Sequence, residues 1–151
     1  NDDIVKLQMK NVENINIQDS YTFLDTGSPH HVTTVNHLSN YDVRTQGSKI
    51  RYGEPYGHQG TNVNFVEQIN EDTFRVRTYE KGVENETLAC GTGVTAVAVA
   101  MHKTGKTKAT TIHLPVEGGE LQVTFTPLED SYQEVYLEGP SKFVFQGKIV
   151  I

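Results

Sequence analysis

The sequence holds one cysteine in 151 residues, Cys90, and nothing to pair it with. That excludes an internal disulfide framework and a Cys-rich zinc site. No apolar run approaches membrane-spanning length and no secretory signal is visible, so no membrane partner is expected. Basic charge is short: 13 Lys and Arg stand against 19 Asp and Glu, a net −6, which argues against a nucleic-acid footprint. Repeats, low-complexity tracts and linkers are missing. What remains, 36% hydrophobic and 21% charged, fits one globular domain with a core of its own. A reducing cytoplasm is the expected setting for a reactive thiol. The chain opens Asn1-Asp2-Asp3, with no initiator methionine, and alternates like a strand almost at once. It reads as a processed end or as a cut through a longer protein.

Period-2 patterns dominate. Residues 4–10 set Val5, Leu7 and Met9 against Lys6, Gln8 and Lys10, and Ile15 and Ile17 continue the habit. Residues 62–69 and 74–78 read as a hairpin turning at Asn70-Glu71-Asp72. Residues 112–116 and 120–125 read as a second, joined through Gly118-Gly119. Strands are expected again at 134–137 and 143–151, with Pro140 breaking the ladder between them. Residues 93–103 are apolar nearly all round, the mark of a buried helix, with Lys103 in the last turn and Gly105 as the stop. A second helix is expected over 42–51, with Val43, Gly47 and Ile50 on one side. The fold class is α+β: a mainly antiparallel sheet wrapped around one central buried helix.

Cys90 sits where the buried helix begins, in Glu86-Thr87-Leu88-Ala89-Cys90-Gly91-Thr92-Gly93. A free cysteine is often just a small buried hydrophobe. Here the flanks are polar or small, and a helix N-terminus favours a thiolate and can hold a carboxylate beside it. A thiol used as a proton-transfer base needs both. Gly91-x-Gly93-x-x-Ala96 matches a dinucleotide fingerprint, but that motif needs a parallel βαβ unit entered directly from a strand. The glycines are better read as clearing space for a ligand at the backbone.

Other polar groups have bland and functional readings side by side. Glu80-Lys81 ends a strand; Glu80 can hold a substrate ammonium or tune the thiol, and Lys81 can meet a carboxylate. Thr26-Gly27-Ser28-Pro29-His30-His31 is a donor-rich turn. Adjacent histidines in extended chain point to opposite faces, and no second cluster adds ligands, so no metal is expected. One histidine turned towards the thiol can be its proton partner. Asn62 and Asn64 lie on one face of their strand, and their amides suit either backbone pairing or a small ligand.

In order along the chain, Asp25-Thr26-Gly27-Ser28-Pro29-His30, Gly60-Thr61-Asn62-Val63-Asn64-Phe65, Arg75-Val76-Arg77-Thr78-Tyr79-Glu80-Lys81-Gly82 and the Cys90 motif resemble the second half of the diaminopimelate epimerase family. The closing Leu137-Glu138-Gly139-Pro140 and Phe143-Val144-Phe145-Gln146-Gly147 match as well. The resemblance implies inversion of LL-diaminopimelate to the meso form by two cysteines on opposite faces of the substrate, with no cofactor, in lysine and peptidoglycan precursor synthesis. It implies Cys90 as acid/base and Gly91 and Thr92 as backbone donors to the reacting carboxylate. It implies Glu80 at the reacting amine, with His30 and Glu80 tuning the thiol. Ser28, Asn62 and Lys81 fall at the distal amino-acid end, and Phe145 at a homodimer contact.

The chain departs from the family pattern at a few points. Lys81 stands where arginine is usual, Ser28 where asparagine is common, and Phe145 where tyrosine is; one extra residue separates Glu80 from Cys90. A lysine is a point charge rather than a planar fork, which bears on selectivity. The family's other cysteine belongs to a first half, so residues 1–141 are expected to be the C-terminal domain with half an active site. Residues 142–151 are expected to cross back to the missing N-terminal domain. The alternatives are an epimerase or racemase of another amino acid, a non-catalytic amino-acid-binding domain, and a redox-sensing thiol.

Overall fold

In the computed structural model, which describes residues 3–150, the alternating segments become strands of two sheets. In chain order the first five are β1 (Asp3–Gln8), β2 (Asn16–Ile17), β3 (Thr22–Asp25), β4 (Pro29–Thr34) and β5 (Asn62–Gln68). The rest are β6 (Phe74–Glu80), β7 (Asn85–Thr87), β8 (Thr111–Val116), β9 (Gly119–Pro127) and β10 (Tyr132–Ser141). One sheet has the order β1-β10-β9-β8 and the other β2-β3-β4-β5-β6-β7. Every pairing is antiparallel except β4 with β5. That parallel pair is bridged by helix α1 (Val43–Tyr52), the crossover a parallel connection requires.

Helix α2 (Gly91–Lys103) lies between the sheets and touches strands of both. Its residues Gly93 to Met101 are all buried. Alanines 96, 98 and 100 keep the helix slim where both sheets close on it, and Val94, Val97 and Val99 fill the remaining space. The helix stops at Gly105, whose φ of +72° suits only a residue without a Cβ. There the Gly105 N–H reaches the His102 carbonyl and the Lys106 N–H the Met101 carbonyl.

The six-stranded sheet has two different faces because side chains alternate along each strand. Val32, Val66, Phe74 and Val76 face α2 and join Ile112, Leu114, Val123 and Val135 of the other sheet in the main core. Val63, Phe65 and Tyr79 face the other way, under α1 with Leu38 and Val43. Gly47 lets α1 sit directly on the Tyr79 ring, where a Cβ would clash. The Asp42 side chain caps α1 by accepting from the Thr45 N–H at 3.1 Å.

The α+β class, the two hairpins and both helices are as the patterning predicts. Several expectations are corrected. Pro140 does not break a ladder: it lies inside β10, opposite Ile4 of β1. Pairing of β10 with β9 ends at Glu138 and Gln122, so Pro140 has one neighbour strand only and its missing N–H costs no bond there. Residues 142–150 form no strand and are exposed, and Ile151 at the end of the expected last strand lies outside the described residues. β7 lies within the polar stretch before Cys90, but it is antiparallel to β6 and leads into no parallel βαβ unit. The segment around residues 22–34, read from its turn alone, is a full hairpin of β3 and β4.

Candidate active site

Cys90 is the N-cap residue of α2, with extended backbone (φ −132°, ψ 107°) and only 6% exposure. The helix ladder starts with the Val94 N–H on the Cys90 carbonyl at 2.9 Å. Among the described residues no oxygen-bearing side chain caps this end, where the Gly93 N–H faces the Cys90 sulfur. The Gly91 and Thr92 N–H groups therefore precede the ladder and remain available. Each of the two glycines also has a close neighbour within the protein. A Cβ at Gly91 would sit 2.9 Å from the Leu137 side chain of β10. A Cβ at Gly93 would strike the Asn64 amide and come within 3.2 Å of the Cys90 sulfur.

Under this helix end the inner face of the six-stranded sheet turns polar. His30 is fully buried; its Nε2 lies 3.0 Å from both the Ser28 and the Thr92 hydroxyls. Those hydroxyls are 3.2 Å apart, and Thr92 Oγ1 is 3.6 Å from Cys90 Sγ. Thr26 of the β3–β4 turn donates to the Thr92 carbonyl at 2.7 Å, fixing the turn to the helix. On β5, Asn62 donates to Ser28 Oγ at 3.2 Å and to the Pro29 carbonyl at 3.1 Å, and accepts from the Lys81 N–H at 2.9 Å. Asn64 donates to His30 Nδ1 and to the His31 carbonyl and accepts from Thr78.

Burial raises the Cys90 thiol above its ordinary range. The Thr92 hydroxyl and the Gly93 N–H pull it back only in part, and the Glu80 carboxylate adds to the rise. Loss of hydration is the largest of these influences on the thiol. His30 is pushed down to about 4 by burial, against the opposing pull of Asp25, so it is a neutral imidazole at neutral pH. His31, also held at about 4 by burial, points to the opposite face. There it stacks on Tyr21 and meets the Tyr56 hydroxyl at 2.8 Å. The two histidines do not converge, and no metal-binding cluster occurs among the described residues.

The structure thus brings Ser28, His30, Asn62, Glu80, Cys90, Gly91 and Thr92 to one end of α2. His30 reaches the sulfur only through Thr92. The Lys81 ammonium is elsewhere, donating to the Gln59 carbonyl at 2.8 Å and lining a cavity of about 520 Å³ with Tyr21, Phe23, Pro29 and Tyr56. Phe145 lies in the exposed segment after β10, 81% accessible, and touches none of this. Asn64 was grouped with Asn62 by strand alternation, but its hold on His30 was not legible in one strand. Its cross-strand partner Thr78 was the nearest signal.

A second cavity, of about 1160 Å³, adjoins the site only through Leu88 and Ala89; Arg75, Arg77, Glu86 and Glu117 line it as well. Arg77 there is already held bidentately by Glu86. No helix among the described residues is long and apolar enough to cross a membrane.

Residues 22–144 match the model of the family described as diaminopimelate epimerase. The chain is 53% identical to the diaminopimelate epimerase of Flavobacterium psychrophilum over 147 residues, 97% of this chain and 57% of that protein. It is 45% identical to that of Chlorobaculum tepidum over 130 residues, 85% of this chain and 49% of that protein. The chain therefore spans about half the length of the curated relatives it matches. In architecture it is similar to a hydroxyproline epimerase from Agrobacterium vitis, solved with bound trans-4-hydroxy-L-proline. The TM-score is 0.65 at 16% identity, covering 95% of this chain and 52% of that one.

Proposed function

The chain belongs to the diaminopimelate epimerase family, and on that premise we propose that it supplies one of two thiols that invert the α-carbon of diaminopimelate. The observation that carries this reading is the placement of the one thiol in the chain beside the unladdered N–H groups that open a buried helix.

A carboxylate on the Gly91 and Thr92 N–H groups would set the α-carbon against Cys90 Sγ. When the α-C–H bond breaks, its proton goes to one sulfur and the electron pair spreads into the carboxylate. Fixed N–H donors and the helix end stabilise the charge that builds there. A second thiol on the far face then returns a proton, and the centre is inverted. Cys90 would give its proton in one direction of the reaction and take one in the other, with the second cysteine in the opposite role each time. Among the described residues Glu80 makes no ion pair, which suits it to a substrate ammonium. Asn62 holds Ser28 and the Lys81 backbone together and so shapes the way to the distal end.

The second cysteine would come from a first half of the length the relatives possess. Residues 142–151 would pack against that half, and Phe145 would reach a second copy of the protein. Phe143, Val144, Phe145, Ile149 and Val150 are 79–98% accessible here, which supports a missing partner surface. A second reading, inversion of a simpler amino acid, rests on Lys81 and Ser28 at the expected distal end.

The test is α-proton exchange from meso-diaminopimelate in heavy water, followed by NMR. Exchange by the full-length protein, lost in Cys90→Ala and absent from this chain alone, is the expected result. Exchange that survives Cys90→Ala would overturn the reading. Exchange with a monoamino acid but not with diaminopimelate would select the second one.

A further inference from the structure

We propose that Asn64 is a positioning residue: it fixes the proton of His30 on Nε2 and thereby aims the Thr92 hydroxyl at the Cys90 sulfur. The proposal rests on the reading of Cys90 as the proton-transferring group and concerns how the fold prepares it.

Two backbone carbonyls, which can only accept, fix the orientation of both asparagine amides. The Asn64 Nδ2 lies 3.1 Å from the His31 carbonyl, so this end of the amide must be the NH2 group. Turned over, the amide would set oxygen against oxygen there. Its other end accepts from the Thr78 hydroxyl at 3.0 Å. The second hydrogen of Nδ2 meets His30 Nδ1 at 3.0 Å, so Nδ1 must accept. A neutral imidazole that accepts at Nδ1 carries its hydrogen on Nε2.

Nε2, which carries that hydrogen, lies 3.0 Å from both the Ser28 and the Thr92 hydroxyls. Asn62 is oriented in the same way by the Pro29 carbonyl, and its NH2 donates to Ser28. Ser28, receiving from Asn62, has Thr92 Oγ1 at 3.2 Å for its own hydrogen. Thr92 Oγ1 thus receives from below. Its own hydrogen is left with Cys90 Sγ, at 3.6 Å, a distance suited to sulfur. The bonds through His30, Ser28 and Thr92 run towards the sulfur, and both asparagines, held by backbone carbonyls, set that direction.

The chemical consequence is a donor poised for the thiolate that Cys90 becomes in each turnover. Were the His30 proton on Nδ1, Nε2 would accept from Thr92 and the sulfur would lose this donor. The other groups acting on the sulfur are the Gly93 N–H and the Glu80 carboxylate at the end of β6; the first turn of α2 contributes no acidic residue. Asp25 lies behind His30 and is itself held by Lys10 at 2.6 Å.

The test needs no turnover, so it can fail or succeed apart from the epimerase reading. In the unsubstituted protein, two-bond 1H–15N correlation of His30 should show the Nε2–H form at pH 7. The second readout is the rate at which iodoacetamide alkylates Cys90 across pH. In Asn64→Asp the new carboxylate draws the proton to Nδ1. Alkylation at a fixed pH below the thiol midpoint should then fall about tenfold, the value of one hydrogen bond to a charged group. Thr92→Val should give the same fall, and the double variant should add little to either. An Nδ1–H signal in the unsubstituted protein would overturn the proposal, and that measurement stands even if a variant does not fold. So would a rate in Asn64→Asp equal to the unsubstituted one while Thr92→Val is slowed.

Discussion

Along α2 the inner face of the six-stranded sheet changes character. Beneath the helix body it presents Val32, Val66, Phe74 and Val76, closed against Ile112, Leu114 and Val123 of the other sheet. Beneath the helix N-terminus the same strands present His30, Asn62, Asn64 and Thr78, each buried and each hydrogen-bonded. One pattern of alternation serves both ends. Dry packing fixes the position of the helix, and the polar end uses that fixed position to hold a thiol against a hydrogen-bond network. Burial without partners would be costly for every one of these polar groups, so the network specifies its own geometry closely.

Breaking the two ends should therefore give different kinds of loss. The largest effect is expected at the polar end. Cys90→Ala in the full-length protein should reduce α-proton exchange by at least the roughly 10²–10⁴-fold typical of a positioned acid or base, with little change in thermal midpoint. The apolar end should show the reverse. Leu114→Ala should cost about 2–5 kcal/mol of stability in urea unfolding, while the pH dependence of Cys90 alkylation stays where it was.

Next in size is a pH effect that sharpens the contrast between His30 and His31. Both are held at about 4 in the folded chain by burial. The unfolded chain binds their protons from an ordinary value of about 6.5, so it gains protons first as pH falls. Stability should thus be full above pH 6.5, decline as pH falls from about 6.5 to 4, and lose on the order of 3 kcal/mol per histidine. His31→Gln should remove about half of that slope without changing Cys90 alkylation. An unchanged slope would mean that His31 is solvated in solution. The lowered carboxyl of Asp25 acts below this window, since its ordinary value is already 3.8. The smallest effect is expected from Glu80→Gln. It removes a charge that raises the Cys90 thiol, so the alkylation midpoint should move down.

The apolar end was the more legible in sequence. A run such as Val94-Thr95-Ala96-Val97-Ala98-Val99-Ala100 declares a buried helix locally, and the hairpins declare themselves through alternation and turn residues. What failed needed distant partners. The parallel pairing of β4 with β5 depends on the α1 crossover, and β7 is three polar residues that become a strand only beside β6. Pro140 reads as a breaker until the end of the β9 ladder shows that it occupies an edge. At the polar end, residue types and order pointed to Cys90 and its neighbours. The protonation did not follow from them. A helix N-terminus suggests a thiolate, whereas burial, a property of the assembled sheets, pushes the thiol up.

The most direct test of the account is to titrate meso-diaminopimelate into the full-length protein while following backbone amide resonances at both ends of α2. The account predicts that the Gly91 and Thr92 amides shift strongly as the reacting carboxylate seats on them, and that Lys103 to Gly105 stay still. Strong shifts beside Leu88, Ala89 and Arg75, with Gly91 and Thr92 unmoved, would contradict it.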